Sequence, residues 1–196
     1  MIDFSIVEST KIKGVYIITP SIASDNRGNI YTSFLQEQID ALLPNGLYFK
    51  HDKFSHSTQN VLRGIHGDSK SYKFVSCVYG EILQVVVDCR RDSPTYLAYE
   101  KFYIRANTTS TDSSKNAQKF ILIPPNMGNA YFVRSKEAIY HYKLAYEGEY
   151  IDAPKQFSLP YNDAKIGIDW ELNGVTPVLS SRDLQSVNRG TSEGVK

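Results

Sequence analysis

Between residues 72 and 144 the chain repeats one pattern. A short stretch rich in Val, Ile, Phe and Tyr is followed by a break at Gly, Pro, Asn or Asp. Stretches this short and this β-branched make strands rather than helices. Residues 72–78 and 81–89, joined at Tyr79-Gly80, are the clearest. In the second, Ile82, Gln84, Val86 and Asp88 fall on one face and Leu83, Val85 and Val87 on the other, because successive strand side chains point to opposite sides. Residues 99–104, 120–123, 131–133 and 138–144 continue the series; 13–20, 29–35, 48–55 and 60–66 precede it. The 14 Tyr suit the same reading, since aromatic side chains pack well on a pleated surface. One short helix is expected over residues 36–43, stopped by Pro44-Asn45-Gly46. So many short strands predict an all-β sandwich or jelly-roll barrel.

Length and charge set the outer limits. The 196 residues suit one domain, here 1–184, with the polar residues 185–196 expected as a disordered tail. After Tyr150 the pattern weakens, and Pro154, Pro160 and Pro177 punctuate a segment expected to wrap the barrel irregularly. Residues 105–119 are polar and turn-rich, as in an exposed mobile loop. A net charge of +1 offers no broad basic field for nucleic acid. The N-terminus lacks the pattern of a signal peptide, and no apolar run approaches the ~20 residues of a membrane helix. A cytoplasmic protein without a membrane anchor is expected. Cys77 and Cys89 are too few for a disulfide framework, and read as small buried hydrophobes in a reducing compartment.

No phosphate-binding glycine loop and no nucleophile elbow is present. Metal-binding jelly rolls commonly show two His one residue apart, a spacing this chain lacks, so no metal is expected. The most suggestive stretch is Val61-Leu62-Arg63-Gly64-Ile65-His66-Gly67-Asp68, with a His ending a strand between glycines. Its bland reading is a His satisfied by backbone. Arg63 and His66 lie on opposite faces of a regular strand, so both can serve one pocket only if the backbone bulges near Gly64. Lys73 opens an apolar strand; its bland reading is an edge-strand lysine. In Tyr140-His141-Tyr142-Lys143, alternation puts both Tyr on one face and His141 on the other, and nothing in the periodicity singles out Tyr142.

A resemblance does. Asp25-Asn26-Arg27-Gly28, Leu62-Arg63-Gly64-Ile65-His66, Gly80-Glu81 with Val87-Asp88, Asp92-Ser93-Pro94-Thr95, Ile123-Pro124-Pro125, Ile166-Gly167-Ile168-Asp169-Trp170 and Leu179-Ser180-Ser181-Arg182-Asp183 occur in the order of the dTDP-4-dehydrorhamnose 3,5-epimerase family, which the chain resembles from residue 25 to residue 183. The resemblance implies a cupin-type jelly roll, a homodimer, a nucleotide-diphosphate sugar as substrate, and neither metal nor redox cofactor. It implies that His66 is the base that removes the proton beside the 4-keto group and that Asp183 pairs with it. It implies Lys73 as the cation near the keto oxygen, Tyr142 as the acid on the other face of the sugar, and Arg27 and Arg63 as contacts to the diphosphate. These residue types suit the chemistry. A proton α to a ketone needs a base near neutral pKa, the enolate needs a cation, and inversion needs a second proton source.

In Leu62-Arg63-Gly64-Ile65-His66-Gly67-Asp68, Ser76-Cys77-Val78-Tyr79-Gly80, Pro124-Pro125-Asn126-Met127-Gly128-Asn129 and Tyr142-Lys143-Leu144-Ala145-Tyr146-Glu147-Gly148-Glu149-Tyr150 the chain is similar to epimerases of GDP-linked 4-keto-heptoses, enzymes of capsular polysaccharide synthesis. It departs from typical dTDP-rhamnose enzymes in three places. Only residues 67–72 separate His66 from Lys73, where those enzymes carry a longer segment. Asn129 stands where they have a His, and Gln84 where they have an Asp. If that His and Asp interact, neutral amides replace both here, and Asn129 and Gln84 reshape the sugar pocket. Two other readings of the barrel are a 3,4-ketoisomerase and a non-catalytic sugar-binding jelly roll.

Overall fold

The computed structural model describes residues 4–107 and 117–189. Its elements are β1 (Phe4–Glu8), β2 (Tyr16–Pro20), β3 (Ile22–Asp25), β4 (Gly28–Tyr31), α1 (Gln36–Ile39), β5 (His51–Thr58), β6 (Leu62–Gly67), β7 (Tyr72–Tyr79), β8 (Glu81–Asp88), β9 (Tyr99–Arg105), β10 (Phe120–Ile123), β11 (Met127–Val133), β12 (Glu137–Ala145), β13 (Phe157–Ser158) and α2 (Ser181–Arg189). A six-stranded sheet ordered β1-β2-β10-β7-β12-β5 faces a five-stranded sheet ordered β13-β6-β11-β8-β9, and β3 and β4 form a separate hairpin. The expected all-β jelly roll is what forms.

Alternation in β8 sorts the core as its sequence requires. Ile82 and Val86 join Val75, Cys77, Ile121, Tyr131 and Tyr140 between the sheets. Leu83, Val85 and Val87 point out, to be covered by Leu159, Ile166 and Trp170 of the C-terminal segment. The outer face of the other sheet, with Ile18, Phe74 and Phe120, is covered by Ile39 and Leu43. Each end of the chain therefore lids one sheet, and strands buried on both faces read as unbroken apolar runs such as Phe120–Ile123. At about 25 cal/mol per Å² of apolar surface removed from water, these two lids hold the layers together. Gly80 turns the chain from one sheet into the other: it sits at φ +80°, and a Cβ there would lie 2.2 Å from the Glu137 carbonyl oxygen.

Several expectations shift. The strand expected over 29–35 stops at Tyr31, and the turn before it is the end of a β3–β4 hairpin. The helix expected over 36–43 is one turn, continued by a 3₁₀ turn at Asp40–Leu42. Pro20 ends β2, which starts only at Tyr16 and pairs with β1 on one side and β10 on the other; among the described residues β1 is the edge of that sheet. The expected disordered tail is corrected over residues 185–189, which belong to α2. Its buried face is Asp183 and Ser186, not an apolar stripe, which is why hydrophobic periodicity misses it. The rest of that tail, 190–196, lies outside the described residues, as does most of the loop expected at 105–119.

Candidate active site

The site begins with an irregularity in β6. Arg63 pairs with Tyr131 and His66 with Asn129, so three steps along β6 match two along β11. One extra residue is accommodated at Gly64, which has φ +130° and lies so close to β11 that a Cβ would meet the Ala130 Cβ at 2.3 Å. This is the bulge that Arg63 and His66 need in order to face the same way. Both line a cavity of about 290 Å³ between the sheets.

His66 meets a carboxylate carried by α2. Its Nε2 lies 2.6 Å from Asp183 Oδ1, with the His66 side chain 24% exposed and that of Asp183 3%. Because an ionised carboxylate only accepts, Nε2–H donates and Nδ1 is the nitrogen that can take a proton. Ser180 fixes the other end of the carboxylate. Its Oγ–H donates to Asp183 Oδ2 at 2.7 Å and accepts from the Asp183 N–H at 3.2 Å. The second bond is the N-cap half of a helix-capping box, and the return contact to the carboxylate comes from the hydroxyl, so the start of α2 and the orientation of Asp183 are set together. Burial alone would raise the Asp183 pKa; the His66 hydrogen bond and charge, Ser180 and Arg182 outweigh it and hold the carboxyl below its usual range. Arg182 anchors the helix to β13 through Ser158 Oγ at 2.8 Å and the carbonyls of Gln156 and Phe157.

The other sheet supplies the remaining groups. Lys73 lies on the inner face of β7, between β10 and β12, so it is not an edge-strand lysine. It lines the cavity although only 7% of its side chain is exposed. Burial pushes its pKa down, opposed by the Asp68 carboxylate 3.2 Å from Nζ. Tyr142, on β12, faces the cavity from the sheet opposite His66. Burial raises its pKa despite nearby Lys53, so it stays a protonated donor at neutral pH. His141 points away, to Asp52 at 2.5 Å, as alternation requires. Behind these groups lies the amide pair: Gln84 Nε2 donates to Asn129 Oδ1 at 2.7 Å, and the Tyr140 hydroxyl donates to the same oxygen at 3.2 Å. Asn129 lines the cavity, and Gln84 is fully buried behind it.

Of the expected site residues, His66, Tyr142, Lys73, Asp183, Arg63 and Asn129 come together, with Gln84 behind them. Arg27 does not join them. It sits at the tip of the β3–β4 hairpin, its side chain 86% exposed and paired with Asp25 at 2.6 Å. The cavity also holds groups the sequence reading passed over: Lys53, Ser55, Tyr150, Gln156, Ser180 and Arg182. Lys53 and Ser55 were accessible from alternation along β5, and Ser180 from its spacing to Asp183. Among the described residues no group of three His, Cys, Asp or Glu is placed to hold a metal ion.

This arrangement can move a proton on one side of a bound molecule and return one on the other, with an ammonium nearby for negative charge. The family described as dTDP-4-dehydrorhamnose 3,5-epimerase matches residues 9–188 of this chain. The chain belongs to that family. Its members are isomerases that act on nucleotide sugars. The Salmonella typhimurium dTDP-4-dehydrorhamnose 3,5-epimerase is 30% identical over 181 residues, covering 91% of this chain and 92% of the relative. Among solved structures of the family, the Legionella pneumophila dTDP-6-deoxy-D-glucose-3,5-epimerase in complex with dTDP-4-keto-L-rhamnose superposes with a TM-score of 0.78 at 31% identity, covering 93% of this chain and 91% of that one. The Streptomyces bikiniensis 3'-monoepimerase ChmJ, in complex with dTDP-quinovose, gives 0.75 at 27% identity, covering 93% and 90%.

Proposed function

We propose that this family member epimerises a nucleotide-linked 4-keto sugar at C3, C5 or both, through an enolate. The observation that carries the reading is the placement of His66, paired with Asp183 of α2, on one sheet and Tyr142 on the other, across one cavity that also holds Lys73. His66 Nδ1 removes the proton α to the ketone, and Asp183 stabilises the imidazolium through Nε2–H. The electron pair left behind moves onto the keto oxygen, where the Lys73 ammonium stabilises it. Tyr142 then delivers a proton to the opposite face of the same carbon, which inverts it. No electron is gained or lost overall, so the chain's own acids and bases are sufficient.

The cavity holds one sugar ring, and the nucleotide extends over its mouth, where Lys53, Arg63 and Arg182 gather positive charge for the diphosphate. Arg27 lies outside that mouth in its own chain. If it contacts diphosphate, it does so from a second copy, which supports a homodimer; a monomer by light scattering would remove Arg27 from the site. We place the reaction in the cytoplasm.

The finer reading of the substrate is a GDP-linked 4-keto-heptose for capsular or surface polysaccharide. It is supported by the resemblance in residues 142–150 and by the neutral Gln84–Asn129 pair, which presents no titratable group on that cavity wall. The alternative is a dTDP-linked 4-keto-6-deoxy sugar, the type of molecule bound by the Legionella relative. Incubation with GDP- and dTDP-linked 4-keto sugars in deuterated water, with NMR of the products, separates them. Inverted, deuterated product from the GDP compound alone supports the finer reading, and from the dTDP compound alone refutes it. Migration of the carbonyl would identify a 3,4-ketoisomerase instead.

A further inference from the structure

The short connection between β6 and β7 holds a group with no part in the mechanism above. Asp68 lies two residues after His66 and five before Lys73, and is 3% exposed. Its Oδ1 accepts from the Lys70 N–H at 3.0 Å and the Ser71 N–H at 2.6 Å, so the turn itself fixes the carboxylate. Its carbonyl oxygen accepts from the Asn126 N–H at 2.8 Å, tying that turn to the connection between β10 and β11. The remaining oxygen, Oδ2, faces Lys73 Nζ at 3.2 Å, with 1% of the Asp68 side chain and 7% of the Lys73 side chain exposed.

A buried ammonium is expensive unless a fixed charge compensates it, and an apolar pair of similar volume is commonly at least as stable. The pair is therefore poorly explained by stability alone, and its cation opens onto the cavity. We propose that Asp68 is a positioning residue acting through Lys73: it aims Nζ at the cavity and keeps it protonated over the working pH range. This rests on the reading of Lys73 as the cation at the enolate oxygen. It also gives the short segment a purpose, since a five-residue reach from carboxylate to lysine locks the cation to the same turn that ends the strand of the base.

Other groups near Lys73 do not replace Asp68. Cys89, beyond β8, has its thiol pushed up to about 12, chiefly by burial, so it is uncharged at neutral pH. From the cavity side the titratable and charged neighbours are Arg63 and His66 on β6, Tyr131 on β11, Tyr140 and Tyr142 on β12, Lys53 on β5, Tyr150 and Asp152 before β13, and Arg182 and Asp183 on α2. Asp183 is engaged by His66 and Ser180, Asp152 lies 4.0 Å from Lys53 Nζ, and burial raises the pKa of the Tyr140, Tyr142 and Tyr150 hydroxyls, which are neutral. Burial lowers the Lys73 pKa and Asp68 opposes that fall, so removing the carboxylate moves the loss of charge to lower pH.

Asp68→Asn tests this, because the amide oxygen can still accept from Lys70 and Ser71 and preserve the turn. Side-chain NMR titration of Lys73 in the folded protein should show its midpoint falling by about one pH unit or more, tenfold in ionisation constant. With whichever 4-keto nucleotide sugar the wild type converts, the alkaline limb of kcat should move down with it, and KM should stay within about twofold. In a Lys73→Met background, adding Asp68→Asn should leave the remaining rate within about twofold, since Asp68 then has nothing to act through. Unchanged Lys73 titration in folded Asp68→Asn, or a full additional loss in the Lys73→Met background, overturns the proposal. Asp68→Glu keeps the charge but lengthens the reach, so it should restore most of the Lys73 titration without restoring the full kcat; should Asp68→Asn not fold, a folded Glu variant with wild-type kcat decides against a positioning role. A wild type inert toward every 4-keto sugar refutes the proposed function, while the Lys73 titration still decides the pairing.

Discussion

Asp88 and Asp183 are both buried carboxylates, 0% and 2% exposed, and they do opposite work. Asp88, at the end of β8, accepts from Arg90 Nε at 2.9 Å and Nη2 at 2.8 Å, Ser93 Oγ at 2.6 Å and Thr95 Oγ1 at 2.7 Å, as well as from the Arg90 N–H. Every acceptor position is engaged inside one turn, so the group closes a loop. Asp183 has two partners, and one of them, His66, turns toward a cavity. A saturated carboxylate is a structural part. A carboxylate whose partner faces open space orients a reactive group.

Substitutions at the two positions should therefore separate cleanly. Asp183→Asn should reduce turnover by about 10³-fold, as an amide can stabilise the wrong tautomer of the imidazole and cannot balance its charge. Steady-state rates measured alongside thermal melts check this, and a large loss of melting temperature with little loss of kcat would reverse the assignment. Tyr142→Phe should lower formation of the inverted product by about 10²-fold while exchange of the α-proton with solvent continues, because the base is intact. Parallel loss of both in NMR time courses would place Tyr142 elsewhere in the mechanism.

At Asp88 the expected loss is of stability, with kcat per folded molecule unchanged. Burial would raise this carboxyl, but the bonds from Arg90, Ser93 and Thr95 hold it at about 2. A depressed carboxylate pKa stabilises the fold above its unfolded value near 4, and that contribution of about 2 kcal/mol is lost as pH falls from about 4 to about 2. Asp88→Asn should thus unfold more readily in urea at neutral pH and show a flatter acid limb. The smallest effect belongs to Ser180→Ala, which removes the cap of α2 and the bond to Asp183 Oδ2. It should cost about 1 kcal/mol in stability and about tenfold in turnover, and an unchanged rate would free Asp183 from dependence on its cap.

The two regions also differ in how far the sequence exposes them. β8, which ends at Asp88, follows strict alternation, and its inner and outer faces can be assigned residue by residue. The β6 bulge is legible only as a condition: Arg63 and His66 cannot share a cavity without it, and Gly64 is where it has to occur. α2 is hidden, because it buries Asp183 and Ser186 where a periodicity argument looks for Leu or Val. A separation of 117 positions between His66 and Asp183 puts their meeting beyond any local pattern, so only the family resemblance linked them. The same resemblance carried Arg27 into the list of site residues, whereas the single chain holds it out on a hairpin.

The central claim is that His66 removes a carbon-bound proton beside a ketone. Wild type and His66→Asn should be compared in deuterated water with the 4-keto nucleotide sugar that wild type converts, following deuterium at C3 and C5 by NMR. Wild type should wash deuterium into at least one of these carbons, and His66→Asn, with an unchanged circular dichroism spectrum, should slow this by about 10⁴-fold. Exchange at the wild-type rate in a folded His66→Asn variant would contradict the account.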